Sequence, residues 1–305
     1  MLFRSQRLNK PYMVSANWSM GWEAELALSE LKKTPNATIG WAGLAHIPAI
    51  FYNALVKELP NANFVDVTNE IDLFKAVKSP EEQEMIKNTA LLQDKVYEHL
   101  VKVIKPGMRE SDVYNEAHFM GRMLGSERGL VLVGSAPKGQ PGPFNFRRFQ
   151  NRMLREGDQL VVLVEINGPG GHYTEICRPF SLGKPGQEQV DAFGTALEAQ
   201  ELVLKLCKPG AMPADLLREC NDFLVKRGYK PELRIFAHGQ GYDLVERPVF
   251  QTGESMPIMA GQNLSIHPVP ASDAAWVSLC DNYIIGDNGP GECLHKFPKK
   301  LVVLE

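Results

Sequence analysis

Leu160-Val161-Val162-Leu163-Val164-Glu165-Ile166-Asn167-Gly168-Pro169-Gly170-Gly171-His172-Tyr173-Thr174-Glu175-Ile176-Cys177-Arg178 reads as a strand, a glycine-rich turn and a return strand. Its first five residues are apolar without alternation, which predicts a strand buried on both faces. Each strand carries one acidic residue near the turn, Glu165 on the first and Glu175 on the second. Two buried carboxylates facing each other across a hairpin need a cation, a shared proton or a charged partner. The Gly168–Gly171 turn is not a phosphate loop, because no Lys-Ser/Thr follows it and no helix opens there.

A weak internal repeat flanks this hairpin. Val103-Ile104-Lys105-Pro106-Gly107 is followed by Ser111-Asp112-Val113 and helical periodicity. Leu206-Cys207-Lys208-Pro209-Gly210 is followed by Ala214-Asp215-Leu216 and helical periodicity again. The offset from Lys105 to Lys208 equals that from Asp112 to Asp215. Each half therefore reads as long helix, Lys-Pro-Gly turn, second helix, then strands. Two related α/β halves place a cleft at their junction, where ligand sites are often found.

Upstream, Ser79-Pro80-Glu81-Glu82 is a helix start: Ser79 as N-cap, Pro80 at the first position and two acids at the positive end of the helix dipole. The helix is expected from Pro80 to about Val103. Before it, Ala37–Trp41 and Asn63–Val67 read as strands and Ile47–Leu59 as a helix, which suggests a βαβ-like layer. The expected domains are thus a small α/β unit over 1–78 and a catalytic unit over 79–305.

Net charge is −3, so no basic excess points to nucleic acid or an anionic membrane. Apolar runs such as Leu160–Val164 and Leu301–Leu304 are too short to cross a bilayer. The first five residues, Met1 to Ser5, show no signal-peptide pattern, and a cytoplasmic location is expected. The five cysteines are odd in number and contain no Cys-x-x-Cys, which predicts reduced thiols rather than a disulfide framework or zinc ribbon.

Three further segments carry chemistry. They are Ala237-His238-Gly239-Gln240-Gly241 with Glu246-Arg247-Pro248, then Gly261 to Pro268 with His267 before the proline, then Cys280-Asp281-Asn282-Tyr283. With the Glu165/Glu175 hairpin, this order resembles the pita-bread family of creatinase, prolidase, aminopeptidase P and methionine aminopeptidase. The resemblance covers about residues 75–305. It implies a pita-bread α/β fold, with the N-terminal segment similar to part of the family's N-terminal domain. It also implies a homodimer and a cleft for a short peptide or small molecule.

Carried over residue by residue, the resemblance matches the family's first Asp to Glu165 and its second to Glu175. Its ligand histidine matches His238, the Glu of Glu-Pro matches His267, and the final Glu matches Cys280. Glu165, Glu175 and His238 are then the expected catalytic groups. Phe146, Arg147, Val245 and Glu246 are expected near substrate, and Arg147 with Arg148 is suited to a carboxylate. The two auxiliary histidines of the peptidases fall at Phe146 and Val245. Four of the five ligand positions are changed, yet every one still holds a group able to bind a metal. The set Glu165, Glu175, His238, His267 and Cys280 suits zinc or ferrous iron, at most about one ion. A metal-free creatinase-like site is the alternative. The leading expectation is hydrolysis of a C–N bond. A lyase using the same carboxylates and a catalytically inactive binding protein are the alternatives. Singly, His267 also reads as a turn residue, Cys280 as core, Asp281 as a strand-end cap and Arg178 as a brace for Glu175.

Overall fold

The computed structural model describes residues 21–144 and 151–305; the expectations placed on Phe146, Arg147 and Arg148 lie outside them. The chain divides into two compact units, Met1–Phe74 and Lys75–Glu305. In the first, α1 (Trp22–Leu31) precedes β1 (Thr38–Trp41), α2 (Ala49–Glu58) and β2 (Asn63–Asp66), and α3 (Thr68–Ala76) begins there and ends two residues past its boundary. β1 and β2 pair in parallel with Thr38 opposite Asn63, as strand–helix–strand order requires. Trp41 anchors the small core, stacked on Phe64 at 5.4 Å and edge-on to Phe51 at 6.2 Å.

The second unit opens with α4 (Pro80–Val103). Ser79 and Glu82 form the reciprocal capping box, with Glu82 Oε2 accepting from Ser79 N at 2.7 Å. Ile86, Ala90, Gln93, Tyr97 and Leu100 are buried at helical spacing, so one stripe of α4 faces the core. The chain continues through α5 (Glu110–Met123), β3 (Gly129–Pro137), β4 (Asp158–Ile166) and β5 (Ile176–Leu182). It then forms α6 (Gln187–Leu206), α7 (Pro213–Lys226), β6 (Ala237–Gly239), β7 (Glu246–Val249), β8 (Asn263–Ile266), β9 (Asp281–Gly286), β10 (Gly289–Cys293) and β11 (Val302–Leu304). Both halves of the sequence repeat therefore begin with a helix pair.

Two sheets result, in the orders β11-β5-β4-β3 and β10-β9-β8-β6-β7. The first packs on α4 and α5 through Val96, Tyr97, Leu100, Val162, Val164 and Phe180. The second packs on α6 and α7 through Val203, Leu216, Leu224, Leu264 and Ile266. Cys177 and Cys280 bridge the two sheets, each N–H donating to the other's carbonyl at 3.2 Å. Cys177, Cys207, Cys220 and Cys280 are all buried, as small apolar side chains commonly are. Among the described residues no helix is long and apolar enough to cross a membrane.

Arg178 behaves differently from its sequence reading. It braces Asp281, not Glu175. The guanidinium is fully buried, and Nη2 donates to Asp281 Oδ1 at 2.7 Å. Its remaining donors go to the carbonyls of Cys177, Cys280, Phe297 and Pro298 at 2.8–3.1 Å. Asp281 is therefore a buried counter-ion rather than a cap. Burial opposes its charge, but Arg178, His295 and Lys299 outweigh that and hold the carboxyl well below the usual range. Removing one partner strands the other's charge, so Asp281→Ala is expected to cost about 3–5 kcal/mol in denaturant unfolding. A loss under about 1 kcal/mol would contradict this. Because the folded value is depressed, the contribution is complete above pH ~4 and fades as pH falls through that value.

Candidate active site

The hairpin positions the two glutamates. β4 and β5 pair Val164 with Ile176, and beyond the ladder Asn167 bridges Tyr173. That register sets Glu165 directly opposite Glu175. α4 fixes the hairpin: Gln93 Nε2 donates to the carbonyls of Ile166 at 2.9 Å and Thr174 at 2.6 Å. Thr89 Oγ1 donates to His172 O at 3.0 Å.

The second sheet supplies the opposing face. His238 on β6 lies opposite Ser265 on β8, which lies opposite Asn282 on β9, so three side chains line up across the strands. The glycines beside His238 answer close approaches. A Cβ at Gly239 would meet Arg247 O at 2.5 Å, and one at Gly241 would meet Lys78 Cε at 2.5 Å.

Glu175, His238 and His267 converge: one donor atom from each lies within 4.8 Å of the others, and all three residues are buried. His238 Nε2 is 3.5 Å from Glu175 Oε2. Its Nδ1 lies 2.8 Å from Gly239 O, which can only accept, so Nδ1 carries a proton. Nε2 therefore faces a carboxylate oxygen either as a second N–H or as a lone pair that needs a cation. A ring nitrogen donating to a backbone carbonyl while the other faces the centre is the usual bracing of a ligand histidine. The rings of His238 and His267 are 5.3 Å apart, and His267 Nε2 is buried with no hydrogen-bond partner. Three converging donors and an orphaned imidazole nitrogen fit one ion.

Glu165 and Cys280 stand around this group rather than in it. Glu165 Oε1 accepts from Gln240 Nε2 at 2.7 Å. Cys280 Sγ lies 3.0 Å from Ser265 Oγ, which donates to Glu175 Oε2 at 3.1 Å. Cys280, expected among the ligands, lies beside the three converging residues, and burial pushes its thiol well above its ordinary value.

The two glutamates differ in charge. Burial, and then the charge of Glu175, push Glu165 well above the usual carboxylate range. Glu175 also suffers from burial, but His267, His238 and the Cys280 hydrogen bond outweigh it and hold the carboxyl at about 2. Burial pushes His267 down to about 4, against the pull of Glu175. The two carboxyls are thus pushed in opposite directions, Glu165 up and Glu175 down.

Glu246 is engaged elsewhere. Its Oε2 takes the buried Lys78 ammonium at 2.5 Å and its Oε1 accepts Asp243 N–H at 2.9 Å, because a buried lysine demands a counter-charge. Glu246, expected near substrate, is thus the counter-ion of Lys78. Val245 is 49% exposed. Gln240, Ser265 and Asn282 are site residues that had no role in the sequence reading. Asn282 Nδ2 donates to Gln240 Oε1 at 2.9 Å, and Asn282 Oδ1 accepts Glu175 N–H at 2.7 Å. The signal was available: Gln240 follows His238, and Asn282 follows Cys280, at the two-residue period of a strand face. A second convergence, Asp281 with Cys293 and His295, is balanced by Arg178 at 2.7 Å and Lys299 at 3.6 Å.

The model of metallopeptidase family M24 matches residues 84–289. The chain belongs to this family. An uncharacterized peptidase, YqhT of Bacillus subtilis, is 24% identical over 262 residues, 83% of this chain and 70% of that protein. A probable dipeptidase, PepE of Mycobacterium tuberculosis, is 24% identical over 241 residues, 78% of this chain and 63% of its own length. The chain thus spans about two thirds of these relatives. Among solved structures, the X-Pro aminopeptidase of Thermotoga maritima superposes with a TM-score of 0.80 at 19% identity, covering 92% of this chain and 79% of that one. The M24 member therefore has the pita-bread fold that its resemblance to the family implied.

Proposed function

We propose that this M24 member hydrolyses a C–N bond in a small molecule or short peptide, using one divalent ion held by Glu175, His238 and His267. The observation that carries this reading is the convergence of those three buried donors, with His238 Nδ1 already tied to Gly239 O. Two imidazoles and one carboxylate favour zinc or ferrous iron over magnesium or calcium. When bound, such an ion would polarise a carbonyl and make a water acidic enough to attack it.

The chain's own residues supply the rest. Ser265 orients Glu175 through Oε2, and Gln240 holds Glu165 through Oε1. Of two neighbouring carboxyls, the one whose value is raised is the better proton donor of the pair. Glu165 would give its proton to the departing nitrogen as the C–N bond breaks. It would recover a proton from the water whose oxygen joins the carbon. The balance is amide plus water giving acid plus amine.

The test is turnover of Xaa-Pro dipeptides, creatine-like amidines and small zwitterions before and after chelation. Hydrolysis lost on chelation and restored by zinc or ferrous iron is expected. Undiminished hydrolysis after full metal removal would favour the metal-free site, and no hydrolysis of any of them the binding protein.

A further inference from the structure

Just ahead of α4, Lys78 buries its ammonium. Its backbone is fixed: Lys78 N donates to Gly261 O at 2.9 Å, and Lys78 O accepts Gln83 Nε2 at 3.0 Å. The Lys78 side chain is 1% exposed and that of its partner Glu246 is 4% exposed. The ammonium donates to Glu246 Oε2 and to Lys75 O, and it lies 5.4 Å from the centre of the Tyr242 ring. Stability does not call for such a pair, since apolar side chains of similar volume serve a fold as well or better. What the pair adds is geometry, because each buried charge is costly anywhere but in contact with the other.

The geometry it sets is that of the loop joining β6 to β7. Glu246 Oε1 accepts Asp243 N–H at 2.9 Å, and Gly241 N donates to Asp243 O at 3.3 Å. The next carbonyl, Leu244 O, accepts Gln240 Nε2 at 3.1 Å. The same Nε2 donates to Glu165 Oε1 at 2.7 Å. The other end of the Gln240 amide is tied as well. Its Oε1 accepts Asn282 Nδ2 at 2.9 Å, and Asn282 Oδ1 accepts Glu175 N–H at 2.7 Å. A carbonyl can only accept and a backbone N–H can only donate, so Leu244 O and Glu175 N lock the polarity of both amides. Glu165 is thereby offered an N–H and not an oxygen. The loop has two further anchors, Tyr242 Oη to Glu82 and Lys75 to Asp243, but both are exposed, where such contacts contribute little.

We infer that Lys78 is a positioning residue: through Glu246 it holds the β6–β7 loop in the shape that keeps Leu244 O, and hence the Gln240 amide, aimed at Glu165. This deepens the hydrolase reading and rests on it for the consequence in turnover.

The experiment compares the zinc-supplied full chain with two variants. Lys78→Met strands the Glu246 charge. Lys78→Met/Glu246→Met replaces the pair by apolar side chains and should recover the folding lost in the single variant, followed by thermal unfolding. The first readout is the side-chain amide resonance of Gln240 in protein carrying isotope-labelled glutamine, assigned by its absence from Gln240→Leu. Both variants should shift it, with the metal-to-chain ratio unchanged. The second readout is turnover of the substrate that the wild type hydrolyses. In both variants kcat should fall about 10- to 100-fold, the scale of a small misplacement at a reacting group, with KM unchanged. In a Glu165→Gln background the same substitutions should cost nothing further, because the path ends at Glu165. An unmoved Gln240 resonance, an unchanged kcat, an equal loss in the Glu165→Gln background, or a loss carried by KM or by metal content would overturn the inference. So would a double variant that fails to fold, which would make the pair structural. The resonance needs no turnover. A wild type that hydrolyses nothing therefore removes the hydrolase reading and leaves this inference to be decided by the resonance.

Discussion

Glu165→Gln is expected to lower kcat by about 10²–10⁴-fold, the contribution of a positioned general acid, while substrate binding changes little. Glutamine preserves the shape and accepts the hydrogen bond from Gln240 Nε2 now made by Glu165 Oε1. It cannot deliver a proton to a leaving nitrogen. The pH profile provides the sign. Burial and the charge of Glu175 raise the Glu165 value, so the active protonated form is lost as pH rises through it. The wild type should show a falling alkaline limb in kcat, and the variant should lack that limb over its residual activity. Retention of wild-type kcat in Glu165→Gln would remove Glu165 from the chemistry. A limb that persists would assign it to another group.

His238→Ala is expected to lower metal affinity by more than about 100-fold, since loss of a residue that merely orients a ligand costs 10–100-fold. Activity should fall with the metal, and zinc or ferrous iron at high concentration should restore part of it. His238 is buried between Glu175 at 3.5 Å and the His267 ring at 5.3 Å. Its removal opens a cavity, so the folded fraction is checked by circular dichroism. Unchanged metal content in a folded His238→Ala protein would contradict its role as a ligand.

The fold was legible because its signals were local and mutually consistent. The Ser79 cap with Pro80 marked the start of α4, and the apolar run before Glu165 marked β4. The repeated Lys-Pro-Gly turns marked both helix pairs. The opposition of Glu165 and Glu175 followed from strand register across a short turn. What escaped was tertiary. No periodicity reveals that Arg178 reaches Asp281 on another sheet, or that a buried Lys78 requires Glu246. Cys280 sits at the expected position in the chain, but a hydroxyl from the neighbouring strand, Ser265, takes its sulfur.

The central claim is one ion bound by Glu175, His238 and His267. An imidazole at His267 offers one donor atom where a carboxylate offers two, so bridging two ions is harder. The most direct measurement is the metal-to-chain ratio by elemental analysis, on wild-type protein and His267→Glu, purified without chelator and loaded with zinc or ferrous iron. The account predicts one ion per wild-type chain and a changed ratio or metal preference in the variant. Two ions or none in the wild type, or a variant identical to it in both respects, would contradict the account.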